Sequence, residues 1–160
     1  MPALVMVSGG QTGVDRAALV FARRHGIALA GWCPRGGWAE DLPDPPGIRR
    51  HFPELHETET ADPAERTRRN VALAERLLVL GRDGASSPGT ALAVAHAQAL
   101  GRPVIAVRLG SPGAEAEVAD ALAAGGSLNV AGPRESEAPG IFAEALALLE
   151  AARRRKAPGA

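Results

Sequence analysis

ALVMVSGGQTGVDRAALVFARRHGIALA, residues 3–30, decides the fold. Residues 3–7 are almost wholly apolar and end at a glycine pair, which suits a strand buried on both faces of a parallel sheet. Val14, Ala17, Ala18, Phe21 and Ala22 then recur at helical spacing, predicting a helix over 14–24. Gly26 ends that helix, and residues 27–30 read as a second strand. The stretch is a strand–loop–helix–strand unit.

The pattern recurs along the chain. Helices are predicted over 64–74, 90–100, 114–124 and from 141 to about 154, with strands at 77–80, 103–107 and 128–131. Such alternation predicts one α/β domain over residues 1–152, Rossmann-like, with a mostly parallel sheet and helices on both faces. Residues 153–160 read as a helix end and a frayed tail, whose basic residues suit the helix dipole. Residues 33–62 break the rhythm, with many prolines and charges. So long a loop predicts either a lid or a disordered excursion.

Composition narrows the class. The chain has 160 residues, with 18 Lys+Arg against 18 Asp+Glu, so its formal charge is zero. That balance gives no electrostatic reason to expect a nucleic-acid partner. It leaves little net repulsion between copies, so a homo-oligomer is permitted. The apolar start is short and lacks the basic lead of a signal peptide. No apolar run approaches the ~20 residues that span a bilayer. The expectation is a cytoplasmic protein with no membrane partner. A single cysteine, Cys33, is too few for a disulfide or a multi-Cys zinc site. His25, His51, His56 and His96 show no metal-ligand spacing. No metal site is expected.

Three glycine-bearing loops follow strands, where a parallel sheet binds its ligands. In Ser8-Gly9-Gly10-Gln11-Thr12-Gly13 the glycines permit close backbone approach, and the next helix offers N–H groups to an anion. Thr12 and Asp15 also read as a capping pair. The spacing is neither GxGxxG nor GxxxxGK[ST]. Residues 84–90 repeat the logic, with Ser87 as a cap and Pro88 at the first helical position. In the third loop, Arg134 is placed to grip a phosphate or to pair with Glu135 or Glu137.

Outside these loops, Arg66 and Asn70 lie four apart on one helix face and suit a polar ligand edge or solvent. Arg16 invites the same two readings, and Arg35, beside two glycines, is a candidate for anion contact. Cys33 reads as a buried inert thiol rather than a ligand. Glu40 and Asp41 are adjacent acids, suited to base chemistry, to a ligand amine or to solvent. There is no GxSxG elbow, which argues against a serine hydrolase.

SGGQTGVDRAAL (8–19), GWCPRGGWAED (31–41), RTRRNV (66–71), SPGT (87–90) and LNVAGPRES (128–136) resemble the putative molybdenum carrier family. That family is similar in fold to the lysine-decarboxylase-like Rossmann nucleotide-binding group. The resemblance implies a fold that often self-associates and a site for the molybdenum cofactor, a phosphate-bearing pterin with a metal dithiolene. It implies that Gly9, Gly10, Gln11, Thr12 and Gly13, with Ser87, Gly89 and Thr90, line the anion pocket. Arg16, Arg35, Arg66, Asn70, Asn129 and Arg134 are the expected surrounding contacts. Related phosphoribohydrolases carry a catalytic Glu in their second glycine loop, GGxGTxxE. Ala93 stands at that position here and can act neither as acid nor as base. Binding of a small phosphorylated ligand without catalysis is therefore expected. The alternatives are a nucleotide-processing hydrolase and a nucleotide-sensing regulatory module.

Overall fold

The computed structural model describes residues 2–82 and 87–155. The elements run β1 (Leu4–Val7), α1 (Val14–Arg24), β2 (Ala28–Ala30), β3 (Trp32–Cys33), β4 (His56–Glu57), α2 (Pro63–Leu73), β5 (Arg76–Gly81), α3 (Pro88–Ala99), β6 (Val104–Arg108), α4 (Ala114–Ala123), β7 (Gly126–Ala131) and α5 (Ile141–Arg154). Five strands form a wholly parallel sheet in the order β2-β1-β7-β5-β6. Counted from β5 onward, that order becomes 2-1-3-4-5, a doubly wound α/β sheet entered at a different point in the chain.

Side chains alternate across the sheet as the period of two requires. Leu78 and Leu80 of β5 join Met6, Leu128 and Val130 beneath α1, α4 and α5. Leu77 and Val79 point the other way, against Val71 of α2 and Ala93 and Ala97 of α3. Both faces are covered, which is why the strands read as unbroken apolar runs. The stripe of α1 is buried as its spacing predicts; Phe21 at its centre is wholly inaccessible, worth roughly 2–3 kcal/mol of burial.

Residues 33–62 carry a core of their own. Cys33, Ile48, Phe52 and Leu55 pack on Leu19 of α1, and β3 pairs with β4 in a two-stranded parallel ribbon. The turns between them are two short 3₁₀ segments, which leave no helical or strand period to read. Burial pushes the Cys33 thiol up to about 11, helped by Glu57. α5 runs to Arg154, so the first two residues of the expected tail are helical.

The capping expectation at α1 fails. The N-cap is Gly13, without a side-chain hydrogen bond, and the Thr12 hydroxyl donates instead to Glu40. Gly13 occupies a conformation (φ 78°, ψ −131°) closed to a capping threonine. At α3 the cap is as expected: Ser87 Oγ accepts from the Thr90 N–H at 3.2 Å. Residues 84–86 of that loop and 156–160 of the tail lie outside the described residues.

Candidate functional site

The helix after β5 covers one face of the sheet and the helix after β7 covers the other. The two strands are neighbours, so their C-terminal ends flank a switch point, where doubly wound sheets open a crevice. A cleft of about 380 Å³ lies there, bounded by the ends of β1 and β7, by α2 and by the start of α3. That volume suits a small ligand.

The cleft gathers nine of the fourteen expected residues. Gly9 and Gln11 come from the first loop; Arg66 and Asn70 from α2; Ser87, Gly89 and Thr90 from α3; Asn129 and Arg134 from β7 and the loop after it. Gly10 turns away and packs near Ile48 and Leu55. Thr12, Gly13 and Arg16 line a second hollow with Glu40, Asp41 and Phe142. Arg35 is exposed and lines neither.

The polar groups of the second hollow answer one another. Arg16 grips Asp41 through both terminal nitrogens at 2.8 Å, and this contact holds the Asp41 carboxyl below its usual range. Burial would raise Glu40, but hydrogen bonds from Ser136 and Thr12 outweigh it and keep the group acidic. The two acids that sequence offered as a base are thus tied down outside the cleft.

The first loop is similarly committed. Gln11 Oε1 accepts from the N–H groups of Thr12 and Glu40 at 3.0 and 2.9 Å. Gly10 N donates to Ser8 Oγ, Ser8 Oγ to the Asp15 carbonyl, and Val14 N to the Pro133 carbonyl. Asn70, though it lines the cleft, spends both ends of its amide on the backbone of Trp32, at 2.7 and 3.0 Å.

Three groups in the cleft are not spent. Arg66 has nine-tenths of its surface buried, and its Nε has no hydrogen-bond partner among the described residues. It reaches the Gly9 carbonyl through Nη1 at 3.2 Å. Asn129 is buried on β7 with no side-chain hydrogen bond to a described residue. The N–H of Gly89 is likewise uncommitted among the described residues, in the open first turn of α3. Arg134 is partly engaged, with Nε at 3.4 Å from Glu137 and 3.9 Å from Glu40.

Asp15 is the site residue that sequence reasoning missed. Its side chain is only 13% exposed and faces the cleft, 3.9 Å from Arg66. Burial pushes its carboxyl up to about 6, against the pull of Arg66, a Gln11 backbone hydrogen bond and Arg16. A signal existed. Asp15 heads the spacing Asp15, Ala18, Leu19, Ala22, whose other members are wholly buried, and an acid in line with a buried face needs a partner. Ala93, 2% exposed, also lines the cleft, so a glutamate there would have reached the ligand space.

Among the described residues no group of three or more His, Cys, Asp and Glu could hold a metal ion, and no helix is long and apolar enough to cross a membrane.

The circularly permutated YpsA SLOG family matches residues 6–153, in keeping with a doubly wound sheet order that begins at β5. No curated protein matches the chain. Among solved structures, the crystal structure of a protein from Syntrophus aciditrophicus SB, named "Putative molybdenum carrier protein", is 33% identical. The match covers 94% of this chain and 95% of that one, with a TM-score of 0.81. A family match over nearly the whole chain and a full-length structural relative at this identity agree with the five motifs, and the chain belongs to the circularly permutated YpsA SLOG family, with its putative molybdenum carrier proteins.

Proposed function

We propose that the chain binds a small phosphorylated heteroaromatic compound in this cleft without turning it over, and that the molybdenum cofactor is the leading cargo. One observation carries the reading: a buried guanidinium, Arg66, with an unpartnered Nε, in the same cleft as the open start of α3. A buried donor left unpaired costs roughly 1–3 kcal/mol, and an acceptor oxygen of the ligand supplies its partner. The dipole of α3 and the Gly89 N–H favour the ligand's phosphate.

Among the described residues, the cleft is lined by neither Cys nor His. A molybdenum-bearing cargo would be held by its phosphate and its pterin, with the metal unligated by this chain's described residues. Ala93 favours binding over hydrolysis, because the position where related phosphoribohydrolases carry their catalytic glutamate holds no group to move a proton. Self-association, implied by the family resemblance, belongs to the same reading and is tested by sedimentation.

Mass spectrometry of ligand retained through purification tests the assignment, with calorimetry of the apo protein against the cofactor and nucleoside monophosphates. Binding at tens of micromolar or tighter, without release of free base, is expected. Absence of binding to all of them overturns the reading, and steady release of base replaces it with a hydrolase.

A further inference from the structure

We infer that Asp15 and Arg66 read the non-phosphate half of the ligand and select a fused heterocycle with a lactam oxygen beside ring N–H and exocyclic amino groups, the edge shared by guanine and pterin. The inference rests on the binding reading above and deepens it.

The two side chains lie side by side with unused capacity. Arg66 Nη1 and Asp15 Oδ2 are 3.9 Å apart, too far for a hydrogen bond. The guanidinium keeps an unpartnered Nε donor, and the Asp15 carboxylate takes a backbone N–H from Gln11. Gly9 makes the arrangement possible. A Cβ there would stand 2.4 Å from Arg66 Cδ, so a bare backbone lets the arginine lie across the loop and reach into the cleft.

An ionised carboxylate only accepts and a guanidinium only donates. Placed together, they complement an edge that offers an acceptor oxygen next to two donors. The lactam C=O faces Arg66, while the ring N–H and amino group face the two oxygens of Asp15. An adenine edge presents a bare ring nitrogen to that carboxylate, and hypoxanthine lacks the amino group. A site built to hydrogen-bond a group rejects the analogue without it far more strongly than an apolar pocket would.

The span of the cleft fits such a ligand. Asp15 and Gly9 stand over β1, and α3 begins beyond β5, with β7 between them. At about 4.8 Å per strand spacing, the two walls are about 10 Å apart, so the heterocycle sits at β1 and the phosphate at α3. Asn129, on the intervening strand, has an amide with no hydrogen bond to a described residue and is placed to meet either half.

The charged groups facing Asp15 are Arg66 from α2 and Arg16 from its own helix; Asp62, Glu137 and Arg134 line the rest of the cleft. With the carboxyl near 6, Asp15 is ionised at pH 7.5 and loses its paired acceptors as the pH falls below that value.

Calorimetry at pH 7.5 tests the inference, using GMP, a pterin bearing a phosphate monoester, IMP, AMP and inorganic phosphate. On the unmodified protein, GMP or the pterin phosphate is expected to bind at least about tenfold more tightly than IMP and AMP. Whichever of the two binds better separates a nucleotide from a pterin cargo. Asp15→Asn is expected to shrink the preference to within about threefold while phosphate binding persists. Equal affinity for GMP, the pterin phosphate, IMP and AMP on the unmodified protein overturns the inference and leaves the phosphate reading standing. No binding of any probe, phosphate included, overturns both. The ligand series on the unmodified protein decides the matter even if Asp15→Asn fails to fold.

Discussion

The loop before α1 and the start of α3 look alike in sequence, each a run of Gly, Ser and Thr leading from a strand into a helix. They are built for opposite purposes. Before α1, the side chain of Gln11, the hydroxyl of Ser8 and the carbonyl of Pro133 take up backbone N–H groups. Gly13 has no room at all: a Cβ would stand 2.3 Å from the Pro133 carbonyl oxygen. At α3, Gly89 has nothing within 4 Å of where a Cβ would be. One loop is a joint between β1, α1 and the loop after β7; the other is an opening. The sharpest way to break that distinction is Gly13→Ala. Positive φ and a backbone collision together should cost about 4 kcal/mol or more, read as a collapse of the melting temperature or as insoluble expression. A variant that melts normally would show that the joint is not rigid.

The same loop stores an ionisation cost that the α3 side lacks. Asp15 titrates near 6 in the folded chain against 3.8 for the free group. An acid with a raised folded value binds protons more tightly folded than unfolded. Its contribution therefore falls as pH rises from about 4 to about 6, and stays flat above that. The roughly two-unit difference corresponds to about 3 kcal/mol at most. Glu40 and Asp41, held below their usual values, act oppositely and lose stability as acid protonates them below about 4.5. Denaturant melts of Asp15→Asn against the parent isolate the first effect. The variant should gain stability relative to the parent between pH 4 and pH 6. A constant offset across that range would mean that Asp15 is not raised.

Two arginines carry the comparison into binding. Arg66 is buried with an unpartnered Nε, whereas Arg134 is 41% exposed and already shares its Nε with carboxylates. Arg66→Gln should weaken binding of a phosphorylated ligand by roughly 30-fold, about 2 kcal/mol for a lost charge-assisted contact. Arg134→Gln should change it by no more than about threefold, as expected of a screened surface pair. Calorimetry of the two variants checks the ratio, and equal losses would give Arg134 as large a share of the ligand as Arg66.

What could be read in advance follows the physics of repetition. Strand and helix periods repeat, so α1 was legible to the residue and every strand of the large sheet was placed. The cleft was legible in outline because loops after parallel strands converge. Which loop donors stay open was not legible. That depends on partners distant in sequence, such as Glu40 beside Gln11 and Trp32 beside Asn70. Residues 33–62 resisted reading for a related reason. Their buried residues, Cys33, Ile48, Phe52 and Leu55, sit in 3₁₀ turns, two-residue strands and connecting turns too short to show a period. Asp15 is legible as the polar head of a buried helix face, where an acid costs free energy unless it has a partner.

Gly89→Ala is the smallest effect and the most discriminating one. Within the first turn of α3, alanine fits the helical backbone and should raise stability by about 0.5–1 kcal/mol. If the open helix start exists for the ligand, the added methyl occupies space that the anion needs and lifts it off the Gly89 N–H. Stability and affinity should then move in opposite directions, the melting temperature up by a few degrees and the affinity for phosphate-bearing ligands down several-fold. A glycine kept only for the turn gives no such split. Both quantities rising together, or affinity unchanged, would make α3 a helix start like any other and take the phosphate away from it.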